Sequence, residues 1–131
     1  MTKAAKKAMA RQLEAEPSLR LKHTTLSCMG ELDRDALRAI RDRMVRLLDQ
    51  GCVWLVLDLS DVSHIDYRGV PWLVSQAEEY RRRGGDVKLA GVSRYLLAIL
   101  RAAGAHDAFE IYTDAGDARE ALSQGHNAWL H

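Results

Sequence analysis

Excess charge of either sign is missing from this chain: 19 Lys and Arg against 18 Asp and Glu leave a formal net charge of +1 over 131 residues. Proteins dedicated to nucleic acid or to membrane surfaces need a strong basic footprint, so neither class is expected. Cysteine is scarce as well. Cys28 and Cys52 sit alone in apolar segments, with no CxxC and no Cys/His cluster, and read as reduced core thiols of a cytoplasmic protein. No apolar run approaches the roughly 20 residues of a membrane span. The basic, alanine-rich N-terminus MTKAAKKAMARQLEAE lacks the apolar region of a secretory signal.

Catalytic signatures are lacking too. No G-x-S-x-G, P-loop, G-x-G-x-x-G or H-E-x-x-H occurs. His23, His64, His106, His126 and His131 show no metal-ligand spacing, so neither a metal nor a cofactor is expected. Ser63, His64 and Asp66 are triad residue types, but they crowd into one four-residue stretch. A triad is assembled from separate elements, and neighbours near a strand end point to alternate sides. No enzyme is expected here.

What the chain does contain is enough apolar residues, 47 %, for one core. Residues 3–15 favour helix by composition, and Pro17 breaks that pattern. This N-terminal helical extension, residues 1–17, is a docked helix, a frayed tail or a partner-binding helix. Leu19 to Cys28 alternates and is rich in Thr, as one strand or two short ones. Gly30 to Asp33 reads as a turn, with Asp33 as a helix N-cap. From Arg34 to Gln50 the apolar residues Ala36, Leu37, Ile40, Met44, Leu47 and Leu48 follow helical spacing, under an arginine-rich face read as solvated.

Val53 to Leu57 is a continuous apolar run, as in a strand buried on both faces. A short polar turn follows, and a helix from about Arg68 to Arg83 with Pro71 in its first turn. Arg81, Arg82 and Arg83 at its end complement the helix dipole, and Gly84-Gly85 stops it. Val87 to Ala90 reads as a strand, Ser93 to Ala102 as a capped helix, Phe109 to Tyr112 as the last strand and residues 115–123 as the last helix. The alternation predicts an α/β fold: a single domain over 18–125 with a small four- or five-stranded, mostly parallel sheet, flanked by about four helices. Residues 126–131 read as a tail.

The pointed turn Asp66-Tyr67-Arg68-Gly69 lies where open α/β sheets place ligands and modification sites, between a strand end and a helix start. Three segments give it a family. GELD at 30–33, DLSDVSHIDYRG at 58–69 and RRRGGDVKLAGVS at 81–93 resemble the STAS domain, in the same order and spacing over about residues 19–124. The resemblance implies a protein-binding regulator of the anti-sigma factor antagonist type, in signal transduction and transcription regulation of a bacterial cell. It implies a protein partner, an anti-sigma factor or kinase-like regulator, contacted by Asp33, Asp66, Tyr67, Arg68, Gly69 and Trp72. It leaves a homodimer open. An accessory STAS subunit of a lipid-transport or stress-signalling complex is the alternative.

The family turn reads D-S-S-G, and its first serine is the phosphorylation site, the position held here by Tyr67. Tyr67 and Arg68 replace both serines, so the usual serine switch is expected to be absent. A kinase site shaped for a hydroxymethyl does not readily present a phenol to the γ-phosphate. Ser60 and Ser63 lie nearby but match no acceptor position. Tyr67 has three readings: packing over the turn, anchoring an interface, or carrying phosphate itself.

Overall fold

The computed structural model of the chain describes the backbone of residues 15–17 and 23–129, with side chains over 23–123. The elements run β1 (Ala15–Pro17), β2 (His23–Leu32), α1 (Arg34–Asp49), β3 (Trp54–Ile65), a 3-10 turn (Tyr67–Gly69), α2 (Val70–Arg82), β4 (Asp86–Ala90), α3 (Arg94–Ala102), β5 (Ile111–Tyr112) and α4 (Ala115–Trp129). They form one sheet in the order β1-β2-β3-β4-β5. The four strands β2 to β5 are parallel, and β1 adds to β2 antiparallel. Among the described residues the chain adopts the expected α/β architecture, with four helices.

Strands laid down in sequence order, each joined to the next by a helix, put the connecting helices on one face when the crossovers share a hand. The packing follows that rule. Residues of α1, α2 and α3 bury against Leu26, Leu55, Leu57, Val87 and Leu89 on one face. On the other face Val56 and Ala90 meet Ala118 and Leu122 of α4.

Helix α1 forms as its spacing predicts. Asp33 caps it by accepting a hydrogen bond from the Ala36 N–H at 2.8 Å. All six apolar residues named from the sequence are buried. Helix α2 packs beside it, with Val70, Leu73, Ala77 and Tyr80 inside. The Tyr80 hydroxyl, fully buried, donates to the Met44 carbonyl at 2.6 Å and locks the two helices together.

Several expectations are corrected. The longest concerns residues 58–65, read as a polar turn, which continue β3 to Ile65. Their buried positions are Leu59, Val62 and Ile65, a spacing of three that suits no regular strand. Two register shifts explain it: Ser27 faces Asp58 but Met29 faces Asp61, and Gly30 faces Val62 but Glu31 faces His64. Each shift inserts one extra residue on β3, a β-bulge.

Gly30 to Leu32, expected as a turn, likewise belong to β2. Gly30 sits at the second shift with φ +78°, a conformation that glycine adopts without steric cost. At the C-terminus α4 passes through Gly125 and takes in residues assigned to a tail. One interior glycine costs a helix only about 1 kcal/mol relative to alanine. The last strand is Ile111–Tyr112, and Phe109 is a core residue ahead of it. Ala15–Pro17, placed in the extension by sequence, pair with β2 through Ala15–Leu26 and Pro17–Thr24. Of the helix expected over residues 3–15, Ala15 belongs to β1 and residues 3–14 lie outside the described residues.

Candidate functional site

Strands β2 and β3 end side by side, with Leu32 paired to Ile65 and both buried. Each is followed by an aspartate that caps the next helical element. Asp33 caps α1, and Asp66 accepts from the Arg68 N–H at 3.0 Å to cap the 3-10 turn. Capping is what places both carboxylates at helix starts, where the dipole favours negative charge. The ladder closes with the Asp66 N–H donating to the Leu32 carbonyl at 2.9 Å.

Between these caps lies an open cavity of about 530 Å³, lined by Glu31, Asp33, His64, Ile65, Asp66, Tyr67, Arg68, Ile99 and Ala102. Four of the six partner-binding residues named from the sequence, Asp33, Asp66, Tyr67 and Arg68, thus meet at one place. The other two stand elsewhere. Gly69 is buried, and a Cβ there would collide with the Leu37 side chain, so its role in the fold is to let the turn approach α1. Trp72 is half-buried on α2 beneath arginines of α1 and does not line the cavity.

Arg68 is held within the turn. Its Nε donates to Asp66 Oδ1 at 3.1 Å and its Nη2 to Oδ2 at 3.0 Å. This fork, then the Arg68 N–H and the more distant charge of Arg34, hold the Asp66 carboxyl below the usual range. The fork and the Asp66 charge in turn raise the Arg68 guanidinium. Tyr67 has no such anchor. It is 58 % exposed, and its hydroxyl makes no hydrogen bond to a described residue.

Ser63, His64 and Asp66 make no hydrogen bond to one another's side chains among the described residues. His64 Nδ1 lies 2.7 Å from the hydroxyl of Tyr95 on α3, so its partner is neither Ser63 nor Asp66. Ser63 is exposed, and the Ser60 hydroxyl donates to Asp58 Oδ1 at 2.5 Å. Among the described residues no cluster of His, Cys, Asp and Glu could hold a metal ion, and no helix is long and apolar enough to cross a membrane.

The sequence reading missed Glu31, Ile99, Ala102 and the His64–Tyr95 pair. Glu31 was visible within GELD. Nothing local in the sequence signals that the far end of α3 would wall the cavity.

Residues 12–118 match the model of the STAS domain family. An anti-sigma-B factor antagonist of Bacillus subtilis is 30 % identical over 82 residues, covering 63 % of this chain and 74 % of that protein. Among solved structures, a putative anti-sigma factor antagonist from Thermotoga maritima superposes with a TM-score of 0.75 at 18 % identity, covering 88 % of this chain and 97 % of the other. An anti-sigma factor antagonist from Mycobacterium paratuberculosis gives 0.71 at 20 % identity over 84 % and 92 %. Those two likenesses carry the fold: the same small sheet and its helices. Together with the family match over most of the chain and the aspartates that end β2 and β3, they leave one conclusion, that the chain belongs to the STAS domain family.

Proposed function

We propose that this protein is a non-enzymatic regulator that binds a protein partner, of the anti-sigma factor antagonist type, through the cavity at the carboxyl ends of β2 and β3, and that it lacks the usual serine switch. The observation that carries the reading is the state of Tyr67: a large phenol at the tip of a capped turn, 58 % exposed and without a hydrogen-bond partner among the described residues. An exposed tyrosine beside an apolar floor of Ile65, Ile99 and Ala102 is the composition of an interface anchor rather than of a reaction centre. Asp33 and Glu31 at the rim, neither in an ion pair among the described residues, suit a partner that presents cationic groups there. The curated relative named as an antagonist supports the class of partner.

The switch argument rests on chemistry at one position. The family phosphorylates a serine where this chain carries Tyr67, and the neighbouring serine is Arg68, which is tied to Asp66. A phenolic oxygen stands several ångströms further from the backbone than a serine oxygen, so a kinase aligned for serine has no acceptor in line. Relatives of the alternative type, subunits of transport or stress-signalling assemblies, are separated from this reading by the partner recovered.

The experiment is affinity capture from the native cell with the tagged full chain, followed by binding and kinase assays on the purified partner. The expected result is an anti-sigma factor or kinase-like regulator whose affinity falls about tenfold or more with Tyr67→Ala, a hot-spot loss. With ATP and magnesium the natural chain takes up no phosphate, while the double variant Tyr67→Ser, Arg68→Ser does. Recovery of only transporter subunits, or equal affinity of Tyr67→Ala, would overturn the proposal.

A further inference from the structure

Helix α1 carries Arg34, Arg38 and Arg41 at spacings of four and three, one face of a helix. All three guanidiniums converge on one indole. Their central carbons lie 5.9, 5.9 and 5.4 Å from the ring centroid of Trp72. Any two of them are therefore within about 12 Å, close to the Debye length at physiological salt, and they repel one another. Each cation gains only a weak contact with the indole. Arg41 has Asp42 beside it and the charge of Arg34 reaches Asp66, whereas Arg38 has only the indole among the described residues.

Counter-charge is thin along this row. Arg41 has Asp42 at 3.4 Å, a pair with both side chains partly in solvent. Among the described residues no carboxylate stands within ion-pair distance of Arg34 or Arg38. In a chain whose formal charge is only +1, this is a local concentration of positive charge on a flat aromatic base. The row also begins at the rim of the cavity, since Arg34 follows the cap Asp33 and its charge reaches Asp66.

We infer that the arginine row over Trp72 is a docking surface for an acidic segment of the protein partner, laid along α1 while the partner's body engages Tyr67. The inference rests on the protein-partner reading above and extends it to a second surface. The row spans roughly 10 Å of helix, the reach of three or four extended residues. Guanidiniums present paired N–H donors that match carboxylates two at a time, and the indole gathers all three within 5.9 Å of its centroid. Nucleic-acid binders need a wider basic footprint than three residues.

The test uses the full chain and an acetylated octaglutamate peptide, followed by tryptophan fluorescence and by calorimetry, with octathymidylate and phosphatidylglycerol vesicles as competitors of equal charge. The expected result is binding of the peptide that weakens about tenfold or more between roughly 50 and 300 mM salt. Arg38→Gln should weaken it about threefold, and Arg34→Gln, Arg38→Gln, Arg41→Gln together should abolish it with the circular dichroism unchanged. Tyr67→Ala should leave it intact. No peptide binding at low salt, equal binding by the triple variant, or tighter binding of the oligonucleotide or vesicles would each overturn the inference. If partner capture survives the triple variant undiminished, this surface fails while the Tyr67 site stands.

Discussion

The guanidinium of Arg68 lies flat against the carboxylate of Asp66, with Nε 3.1 Å from Oδ1 and Nη2 3.0 Å from Oδ2. Residues two apart rarely meet this way. The 3-10 turn folds Arg68 back toward the residue that caps it, so one carboxylate serves the backbone N–H and the side chain together. The expected consequence is electrostatic. Arg68→Ala should raise the Asp66 pKa toward its ordinary value of 3.8, though not fully, because the cap from the Arg68 N–H remains. Carboxyl NMR titration measures it. The sign for stability follows from a depressed carboxyl: its contribution is present above the unfolded value and is lost as pH falls through the folded one. Natural protein should therefore lose stability below about pH 4 more steeply than the variant. An unchanged Asp66 titration in Arg68→Ala would show that the fork does not form in solution.

Gly69 is a question of space rather than of chemistry. A Cβ at this position would overlap the Leu37 side chain on α1. Gly69→Ala should therefore destabilise the fold by about 1–3 kcal/mol, as overpacking does. Leu37→Ala alone should also cost stability, because Leu37 is fully buried. The double variant should be less destabilised than the sum of the two, since the smaller side chain makes room for the added methyl. Denaturant unfolding of the four proteins decides it, and simple additivity would mean that the contact is not the cause.

The fold was most legible where period and burial agree. Helix α1 buries the six residues its spacing picks out, and Asp33 caps it. Strand β3 was legible only as far as Leu57. Beyond that point two bulges turn the apolar period from two into three at Leu59, Val62 and Ile65, and a strand with that period looks like a loop. The site divides the same way. Asp33, Asp66, Tyr67 and Arg68 could be named from local motifs, because caps and turns are local. Ile99 and Ala102 come from a helix thirty residues downstream, and only the packing of α3 brings them to the cavity. The arginine face of α1 is exposed at Arg38 and Arg46, as its sequence implies, but nothing in that sequence announces the contact with Trp72 on α2.

Tyr80 links α1 to α2 through a fully buried hydroxyl, 2.6 Å from the Met44 carbonyl. Burial is the main cause that pushes this phenol well above its ordinary 10.0. A raised acid favours the neutral form in the folded state, so stability is full below pH 10 and declines as pH rises from there toward the folded value. Tyr80→Phe should cost about 0.5–1.5 kcal/mol at neutral pH, the net worth of one hydrogen bond. Its stability profile should also be flatter than that of the natural protein above pH 10. Thermal unfolding as a function of pH checks both, and equal slopes would rule out Tyr80 as the titrating group.

The two cysteines should differ sharply in reactivity. Cys28 is 3 % exposed on β2, with Sγ 3.8 Å from the Leu26 carbonyl, and burial followed by the charge of Asp58 pushes its thiol up to about 12. Cys52 is half-buried in the loop after α1, held by its N–H donating to the Leu47 carbonyl at 2.9 Å. Only a thiolate attacks a disulfide reagent, and the reagent must also reach it. At about pH 8 one equivalent of thiol should therefore react with Ellman's reagent in the folded protein, and a second only in denaturant. Cys52→Ser should remove the fast phase, and Cys28→Ser should leave it. If Cys28 instead reacted at a rate near that of Cys52, β2 would have to open locally on the timescale of the assay. The Cys28 rate would then report the opening of that strand, which leads into the Asp33 cap, and so measure how firmly the sheet holds the site.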